Sequence, residues 1–206
     1  MSTLLLVTAS PRGDRSVSRA LTSTFARLWA QKHPRDLILL RDVGHHPVPH
    51  VTEPWVVGSF APPDAQTPES KAAIAVSDQL VEEFLGADRY IFGVPMYNFN
   101  IPSTFKAYID QIVRAGKTFA VGPNGYEGLV KGKKALFITS SGGSFPLGSP
   151  TGGFNFQEPY LRAIFGFVGV TDVQFVVADS MNQGEDAAKH SREKAENVLN
   201  ELAATW

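Results

Sequence analysis

The stretch YIFGVPMYNFNIP, residues 90–102, joins a strand-like segment to a loop of unusual composition. Residues 90–94 form a continuous run of apolar and small residues, which is typical of a strand buried on both faces of a sheet. A polar turn ordinarily follows such a strand, but here Met96, Tyr97 and Phe99 follow it, between two prolines. The loop therefore predicts a surface that binds a ligand or a partner.

Similar apolar runs occur at four other places and alternate with segments of helical periodicity. The predicted strands are 4–7, 37–40, 90–94, 135–139 and 173–178, and the predicted helices are 16–31, 69–85, one beginning near Pro102, 160–168 and 184–204. This alternation predicts an α/β fold, a three-layer sandwich with helices on both faces of a five-stranded parallel sheet. Right-handed crossovers favour the flavodoxin-like strand order 2-1-3-4-5. Residues 44–68 are predicted to form a long irregular excursion with its own apolar surface.

Composition narrows the possible functions. The chain has 206 residues, no cysteine, 43% apolar residues and a formal net charge of −1. We expect a single domain over residues 1–206, and neither disulfides nor thiolate metal sites are possible. The absence of a basic excess argues against nucleic-acid binding, and no segment approaches the roughly 18 apolar residues of a membrane span. With no signal-peptide pattern at the N-terminus, a cytoplasmic location is expected.

The strand order predicts that ligands bind beyond the carboxyl ends of the strands, near the first and third. The loop after the first strand, TASPRGDRSVS (8–18), carries serine hydroxyls at Ser10, Ser16 and Ser18 and runs into a helix. Free N–H groups at a helix N-terminus favour an anion, so this loop is a candidate phosphate site. The alternative is that a serine simply caps the helix.

The loops after the third and fourth strands suit a flat ring. Tyr97 and Phe99 can form walls for a planar ligand, Met96 offers a polarizable contact, and Asn98 can both donate and accept hydrogen bonds. The alternative is that these aromatic side chains pack against a neighbouring subunit. In the fourth-strand loop, the small residues 140–143 would let the backbone approach a ligand closely.

Several competing motifs are missing from the sequence. There is no G-x-G-x-x-G after the first strand, no G-x-x-x-x-G-K-[ST], and no G-x-S-x-G to mark a serine hydrolase. His45, His46 and His50 lie in a proline-rich segment that is interpreted as a surface loop, so no metal site is predicted. Asp42, after the second strand, is interpreted as a loop cap.

Four segments resemble the FMN-binding segments of the FMN-dependent NADH-azoreductase and NADH:quinone oxidoreductase family. They are SPR (10–12), SVS (16–18), PMYNF (95–99) and SSGG (140–143). The resemblance runs from the first strand to about residue 202, and its most specific part is PMYNFNIPSTFKAYID (95–110). It implies a flavodoxin-like homodimer with one noncovalent FMN per subunit and active sites at the dimer interface.

The resemblance also implies which residues contact the cofactor. The phosphate group would be held by Ser10, Ser16, Val17 and Ser18, the isoalloxazine ring lined by Met96, Tyr97, Asn98 and Phe99, and its other edge met by Ser140, Ser141, Gly142 and Gly143. No catalytic side chain is implied, because the cofactor carries the chemistry. NADH or NADPH would deliver a hydride and leave, and a quinone or azo compound would then take up the electrons in the same place.

Acceptor preference depends on segments outside the four that resemble the family. Aromatic candidates for the acceptor pocket are Phe119, Tyr126, Phe154 and Phe156, some of them contributed by the partner subunit, although ordinary packing explains such residues equally well. Three segments depart from the family pattern: GHHPVPHV (44–51), residues 53–63 and GSFPLGSPTGGFNFQ (143–157). The alternative function is an FMN-bearing electron carrier or flavin-binding module that docks a protein, which the near-neutral charge disfavours.

Overall fold

The computed structural model describes the backbone of residues 1–206 and the side chains of residues 1–62 and 64–206. Its strands are β1 (Thr3–Thr8), β2 (Leu37–Asp42), β3 (Arg89–Pro95), β4 (Phe119–Gly122), β5 (Gly125–Gly128), β6 (Lys134–Ser140) and β7 (Asp172–Ala178). Its helices are α1 (Val17–Lys32), α2 (Glu53–Phe60), α3 (Pro68–Gly86), α4 (Ser103–Ile112), α5 (Gln157–Phe167) and α6 (Glu185–Thr205).

Five of the strands form one parallel sheet in the order β2-β1-β3-β6-β7. This is the predicted flavodoxin-like order, because β6 and β7 are the fourth and fifth strands of the sheet. The prediction is confirmed, and its basis is visible in the packing: the central strands β1, β3 and β6 are buried along almost their whole length. All five strands end at the same edge, where the loops that follow β1, β3 and β6 meet.

The helices cover the sheet in two layers, each with its own apolar core. On one face α3, α4 and α5 pack over the sheet around a cluster of contacting aromatic rings that includes Phe92, Phe105, Phe137 and Phe165. On the other face α1 and α6 pack around Phe25, Trp29, Leu199 and Trp206. The sheet is therefore held rigidly from both sides, and only its strand ends are open to a ligand.

The amino end of the sheet is closed by aromatic packing. The guanidinium of Arg89 lies 5.5 Å from the ring centroid of Trp29 and 5.3 Å from that of Trp206, and it donates to the carbonyl of Trp206. His33 stacks on Trp29 at 4.0 Å, and its Nε2 lies 3.3 Å from the carbonyl of Ala203. The Arg89 guanidinium thus meets a carbonyl at the C-terminal end of α6, where the helix dipole favours positive charge.

Two elements were not predicted. The excursion at 44–68 contains the helix α2, whose Trp55 is buried and donates from Nε1 to the side chain of Gln111 at 2.7 Å. Residues 119–128 form the antiparallel hairpin β4–β5, which turns at Pro123 and Asn124. The sequence Pro-Asn-Gly at this turn is a hairpin signal, and Gly125, directly after the two turn residues, has a positive φ of 103° that glycine adopts readily. In the part of the chain that the structure describes, no helix is long and apolar enough to cross a membrane.

Candidate functional site

A cleft of about 190 Å³ lies at the carboxyl ends of β1, β3 and β6, the switch point of the sheet. It is lined by residues of four loops: Ser10, Arg12, Ser16, Val17, Pro95, Met96, Tyr97, Ser140, Ser141, Gly142, Met181 and Asn182. Three of the loops are those that the strand order predicted, and nine of these twelve residues fall within the segments 10–18, 96–99 and 140–143. The structure thus brings together segments that are far apart in the sequence.

The first wall of the cleft is the loop after β1, where Ser10, Ser16 and Ser18 are all buried. Ser16 caps α1 by accepting from the backbone N–H of Arg19 at 3.3 Å, and its Oγ lies 3.4 Å from that of Ser18. The Oγ of Ser10 accepts from the N–H of Arg12 at 3.2 Å. Because these oxygens accept from the backbone, their hydroxyl protons can still be donated, and α1 begins here with N–H groups that have no intrahelical acceptor.

An ion pair lies behind this wall. Arg19 donates to both carboxylate oxygens of Asp42, at 2.6 and 2.9 Å, and to the carbonyl of Ser10 at 2.7 Å. Burial alone would raise the pKa of Asp42, but hydrogen bonds from Arg19 and from the backbone N–H of His45 outweigh it and hold that pKa well below its usual range. Asp42 also accepts from the N–H groups of Gly44 and His45, so the predicted loop cap is present.

The second wall is the turn that follows β3. Tyr97 and Asn100 exchange backbone hydrogen bonds of 2.8 and 3.0 Å, and the two residues between them have positive φ. The φ angles are 49° at Asn98 and 67° at Phe99, as in the tight turns that close hairpins. Asn adopts this conformation readily, but a bulky residue such as Phe does so only under strain, which the surroundings must hold.

The segment before α5 supplies that support. The N–H of Phe156 donates to the carbonyl of Phe99 at 3.1 Å, and the Phe99 ring packs against Phe154 and Phe145 at centroid distances of 5.1 and 5.5 Å. Gln157 is buried, and its amide donates to the carbonyls of Val94 and Pro95 at 3.2 and 3.1 Å. The turn is therefore fixed by a second segment of chain and does not depend on its own residues alone.

The third wall is the loop after β6. The Ser141 hydroxyl donates to the carbonyl of Gly143, and its N–H donates to Ala178, so the loop is ordered by local bonds. A Cβ atom at Gly142 would come within 2.5 Å of the side-chain amide of Asn182. A larger residue at this position would have to displace the side chain of Asn182, which comes from the loop after β7, and the sequence did not reveal this contact.

The sequence did not identify four residues of this region. Met181 and Asn182 line the cleft from the loop after β7, Gln157 holds the turn, and Arg19 holds the first wall. Each acts across a sequence separation that no local pattern records. The structure marks this loop in one further way, because Ser180, next to Met181, has a positive φ of 61°. The sequence gives no sign of this angle.

The four aromatic candidates for the acceptor pocket lie in two separate places. Phe154 and Phe156 come just before α5 and lie beside the second wall, where both are exposed. Phe119 and Tyr126 are in the hairpin and pack with Phe167, the last residue of α5. The helix between the two groups has 11 residues, about 16 Å, so a single chain does not bring the four together.

The chemistry of the donors indicates what the cleft can hold. Hydroxyl protons and helix N–H groups at one end suit a phosphate, and a rigid turn bearing Met96 and Tyr97 at the other end suits a planar ring. The lining contains hydroxyls, amides, glycine and apolar groups, with Arg12 as its charged side chain. Among the described side chains, no group of three histidine or acidic residues could hold a metal ion.

The chain is similar to known proteins over almost its whole length. The sequence model of a family described by its flavodoxin-like fold matches residues 2–202. An FMN-dependent NADH:quinone oxidoreductase 2 of Trichormus variabilis is 57% identical over 207 residues, which cover 100% of both chains. An FMN-dependent NADH:quinone oxidoreductase of Azotobacter vinelandii is 42% identical, over 98% of this chain and 100% of the relative.

Solved structures of azoreductases have the same fold as this chain. An azoreductase from Bacillus anthracis str. Sterne superposes with a TM-score of 0.93 at 30% identity, covering 100% of both chains. An FMN-dependent NADH-azoreductase from Bacillus anthracis str. Ames Ancestor, solved in complex with FMN, superposes with a TM-score of 0.87 at 26% identity. That comparison covers 98% of this chain and 100% of the other.

Proposed function

Since the chain belongs to the family of FMN-dependent NADH:quinone oxidoreductases with a flavodoxin-like fold, we propose that it is an FMN-dependent enzyme that reduces quinones and azo compounds. The single observation that carries this proposal is the cleft at the switch point, which joins a hydroxyl-lined helix N-terminus to a rigid aromatic turn. We further propose that residues 1–206 act as one flavin-binding domain in the cytoplasm, with NADH or NADPH as the transient hydride donor.

The residues of the first wall would hold the FMN phosphate. Ser10 and Ser16 have hydroxyl protons to donate, Ser18 is buried beside Ser16, and Val17 and Ser18 have N–H groups at the start of α1. Hydroxyl and N–H donors gathered at a helix N-terminus are the kind of group that binds a dianion. Arg12 lines the same cleft and would add a formal positive charge.

The other two walls would hold the ring. Met96, Tyr97 and Phe99 would offer apolar and aromatic groups and Asn98 an amide, on a backbone that the turn fixes, and residues 140–143 would supply backbone and hydroxyl groups. When bound, FMN supplies two-electron transfer between the nucleotide and the acceptor. The protein binds the ring, orients it and leaves one side accessible, and this role needs no general acid or base among the described lining residues.

We propose that the active enzyme is a homodimer in which the acceptor pocket is completed by the partner subunit. Phe60 of α2 and Val121 and Tyr126 of the hairpin are each 71% exposed, which is unusual for large apolar side chains. A second copy that covers these faces would bring a hairpin near the other subunit's Phe154 and Phe156. Sedimentation of the purified protein should then give about twice the chain mass of 22.4 kDa.

A direct test uses the colour of the bound flavin. Protein loaded with FMN is mixed with NADH in the absence of air, and menadione or methyl red is added afterwards. We expect NADH to bleach the yellow flavin and the acceptor to restore it, with turnover when NADH is in excess.

The same assay distinguishes the alternative function. A protein that binds FMN tightly but whose flavin is not bleached by NADH would be an electron carrier or a flavin-binding module, and the proposal of an enzyme would be wrong. A colourless protein that does not bind added FMN would overturn the flavin site itself.

A further inference from the structure

Arg19 connects three parts of the chain at the back of the first wall. It lies in the first turn of α1, and its side chain turns back over the loop to donate to the carbonyl of Ser10 at 2.7 Å. The same guanidinium makes a two-pronged contact with Asp42, at the end of the edge strand β2. The two side chains are only 18% and 16% exposed, so the pair is more rigid than an ordinary surface salt bridge.

Asp42 is itself fixed in place by its neighbours. Its carboxylate accepts from the N–H groups of Gly44 and His45 at 3.2 and 3.1 Å, and from the ring of His45 at 3.0 Å. The pair therefore links the end of β2 to the loop that contains Ser10, so that the position of one depends on the position of the other. Because Asp42 neutralises Arg19, what Arg19 contributes to the cleft is a fixed geometry rather than a free positive charge.

The turn after β2 touches the same carbonyl from another direction. A Cβ atom built on Gly44 would lie 2.1 Å from the carbonyl oxygen of Ser10 and 2.5 Å from its carbonyl carbon. Only glycine allows this contact, so any larger residue must displace the Ser10 backbone. Arg19 and Gly44 thus fix one carbonyl group together, Arg19 by a hydrogen bond and Gly44 by close contact.

The position of this carbonyl matters because of the ligand that we assign to the loop. A carbonyl oxygen carries a partial negative charge and would repel a phosphate held by the hydroxyl of the same residue. The bond from Arg19 engages that oxygen, while the Ser10 Oγ, which already accepts from Arg12, keeps its proton for the ligand.

From this arrangement, which rests on the proposed function, we propose that Arg19, Asp42 and Gly44 are positioning residues that make the cleft prefer FMN to riboflavin. They touch neither the flavin ring nor the reacting atoms. They hold the Ser10 backbone in the one orientation in which its hydroxyl is offered to a phosphate and its carbonyl is not. Loss of any of the three should weaken the binding of flavins that carry a phosphate and leave the binding of the ring unchanged.

The test compares two ligands that differ only in the phosphate. The full-length apoprotein is titrated with FMN and with riboflavin, and the quenching of flavin fluorescence gives each dissociation constant. Variants Arg19→Met, Asp42→Asn and Gly44→Ala are compared with the unaltered protein. We expect the FMN dissociation constant to rise about tenfold or more for Arg19→Met, and the riboflavin constant to change less than about threefold.

A matched control exists one residue away from Asp42. Arg41 forms a similar two-pronged pair with Glu83 at comparable exposure, but it does not contact Ser10. Arg41→Met removes an ion pair from the same strand and should leave the ratio of the two dissociation constants unchanged.

Two results would overturn the inference in distinguishable ways. If the variants lose affinity for FMN and riboflavin equally, or if Arg41→Met changes the ratio as much as Arg19→Met, the pair acts on general stability and the inference alone is wrong. If the unaltered protein binds no FMN, the proposed function fails as well, and the inference fails with it.

Discussion

The two ends of the central sheet carry cavities of opposite character. At the amino end a cavity of about 440 Å³ is lined by several cations, including Lys32, Arg35 and Arg89, beside the packed rings of Trp29 and Trp206. The cleft at the carboxyl end measures only about 190 Å³ and has a single charged lining residue. By size and charge alone, the amino end would be the better candidate for an anionic ligand.

What separates the two ends is whether their polar groups are already occupied. Lys32, His33 and Arg89 each lie within hydrogen-bonding distance of carbonyls in the last turns of α6, so much of the charge at the amino end is used in ending a helix. At the carboxyl end, α1 begins with N–H groups that have no intrahelical acceptor, and serine hydroxyls keep protons to donate. The comparison teaches that free hydrogen-bonding capacity identifies the site, whereas cavity volume does not.

The largest expected effect is a loss of stability at the amino end, which we expect to be a purely structural region. Trp206 is buried against Phe25 and Trp29, so Trp206→Ala should lower the free energy of unfolding by about 3–5 kcal/mol. Urea denaturation measures this, and the dissociation constant of FMN should stay within about twofold, because the substitution is at the far end of the sheet.

A conservative variant sharpens that result. The indole N–H of Trp206 has no hydrogen-bond partner among the described residues, so Trp206→Phe loses packing alone and should cost only about 1 kcal/mol. If either variant weakened FMN binding in proportion to its loss of stability, the two ends of the sheet would not be independent.

An intermediate effect is expected at the carboxyl end, in the turn after β3. Valine at position 98 would have to adopt a positive φ that β-branched residues avoid, at a cost of about 1–3 kcal/mol. Asn98→Val should therefore weaken FMN and riboflavin alike, by about tenfold or more, because we propose that the turn holds the ring, which both ligands share. Fluorescence titration measures both constants.

Asn98→Gly is the matched control, because glycine keeps the turn and removes only the side chain. We expect it to bind both flavins more tightly than Asn98→Val, and its remaining loss relative to the unaltered protein measures what the Asn98 amide contributes. Equal losses in the two variants would show that the amide of Asn98, and not the shape of the turn, is what the ring requires.

The smallest expected effect concerns acid stability near the first wall. The pKa of Asp42 is held below its usual value of 3.8, so its carboxylate stabilises the folded state above about pH 4, and this contribution is lost as the pH falls through the lowered pKa. Asp42→Asn should cost about 1 kcal/mol at pH 6, and the difference from the unaltered protein should shrink below pH 4. Urea denaturation over a pH series measures this, and a difference that is constant with pH would contradict the assignment.

The sequence predicted the sheet well because each strand has a local pattern. Apolar runs such as 4–7 and 135–139 are buried on both faces, and parallel strands of this kind allow few topologies. The helix α2 was missed because EPWVVGSF has bulky and β-branched residues and little amphipathic pattern, and is stabilised by the tertiary contact of Trp55 with Gln111. The hairpin β4–β5 was also missed, although its Pro-Asn-Gly sequence is a recognisable turn signal.

The cleft was predicted in outline for a similar reason. Ser10, Met96 and Ser140 follow strands, and the sheet topology is enough to bring strand ends together. The contributions of Asn182, Gln157 and Arg19 depend on loops that cross the cleft from other elements, and sequence spacing contains no record of such contacts. The positive φ of Phe99 was equally hidden, because aromatic residues rarely adopt it.

The bonds from Gln157 have a practical consequence for changing what the enzyme accepts. One buried amide, that of Gln157, ties the start of α5 to the backbone beneath the turn, so this part of the anchor does not depend on the side chains of the exposed segment that precedes it. Leu147, Phe154 and Phe156 project from that segment and are about half exposed. Laboratory evolution for new dyes or quinones can therefore randomise positions 147 and 156, while Gln157 and Phe154, whose ring packs against Phe99, are kept to hold the turn.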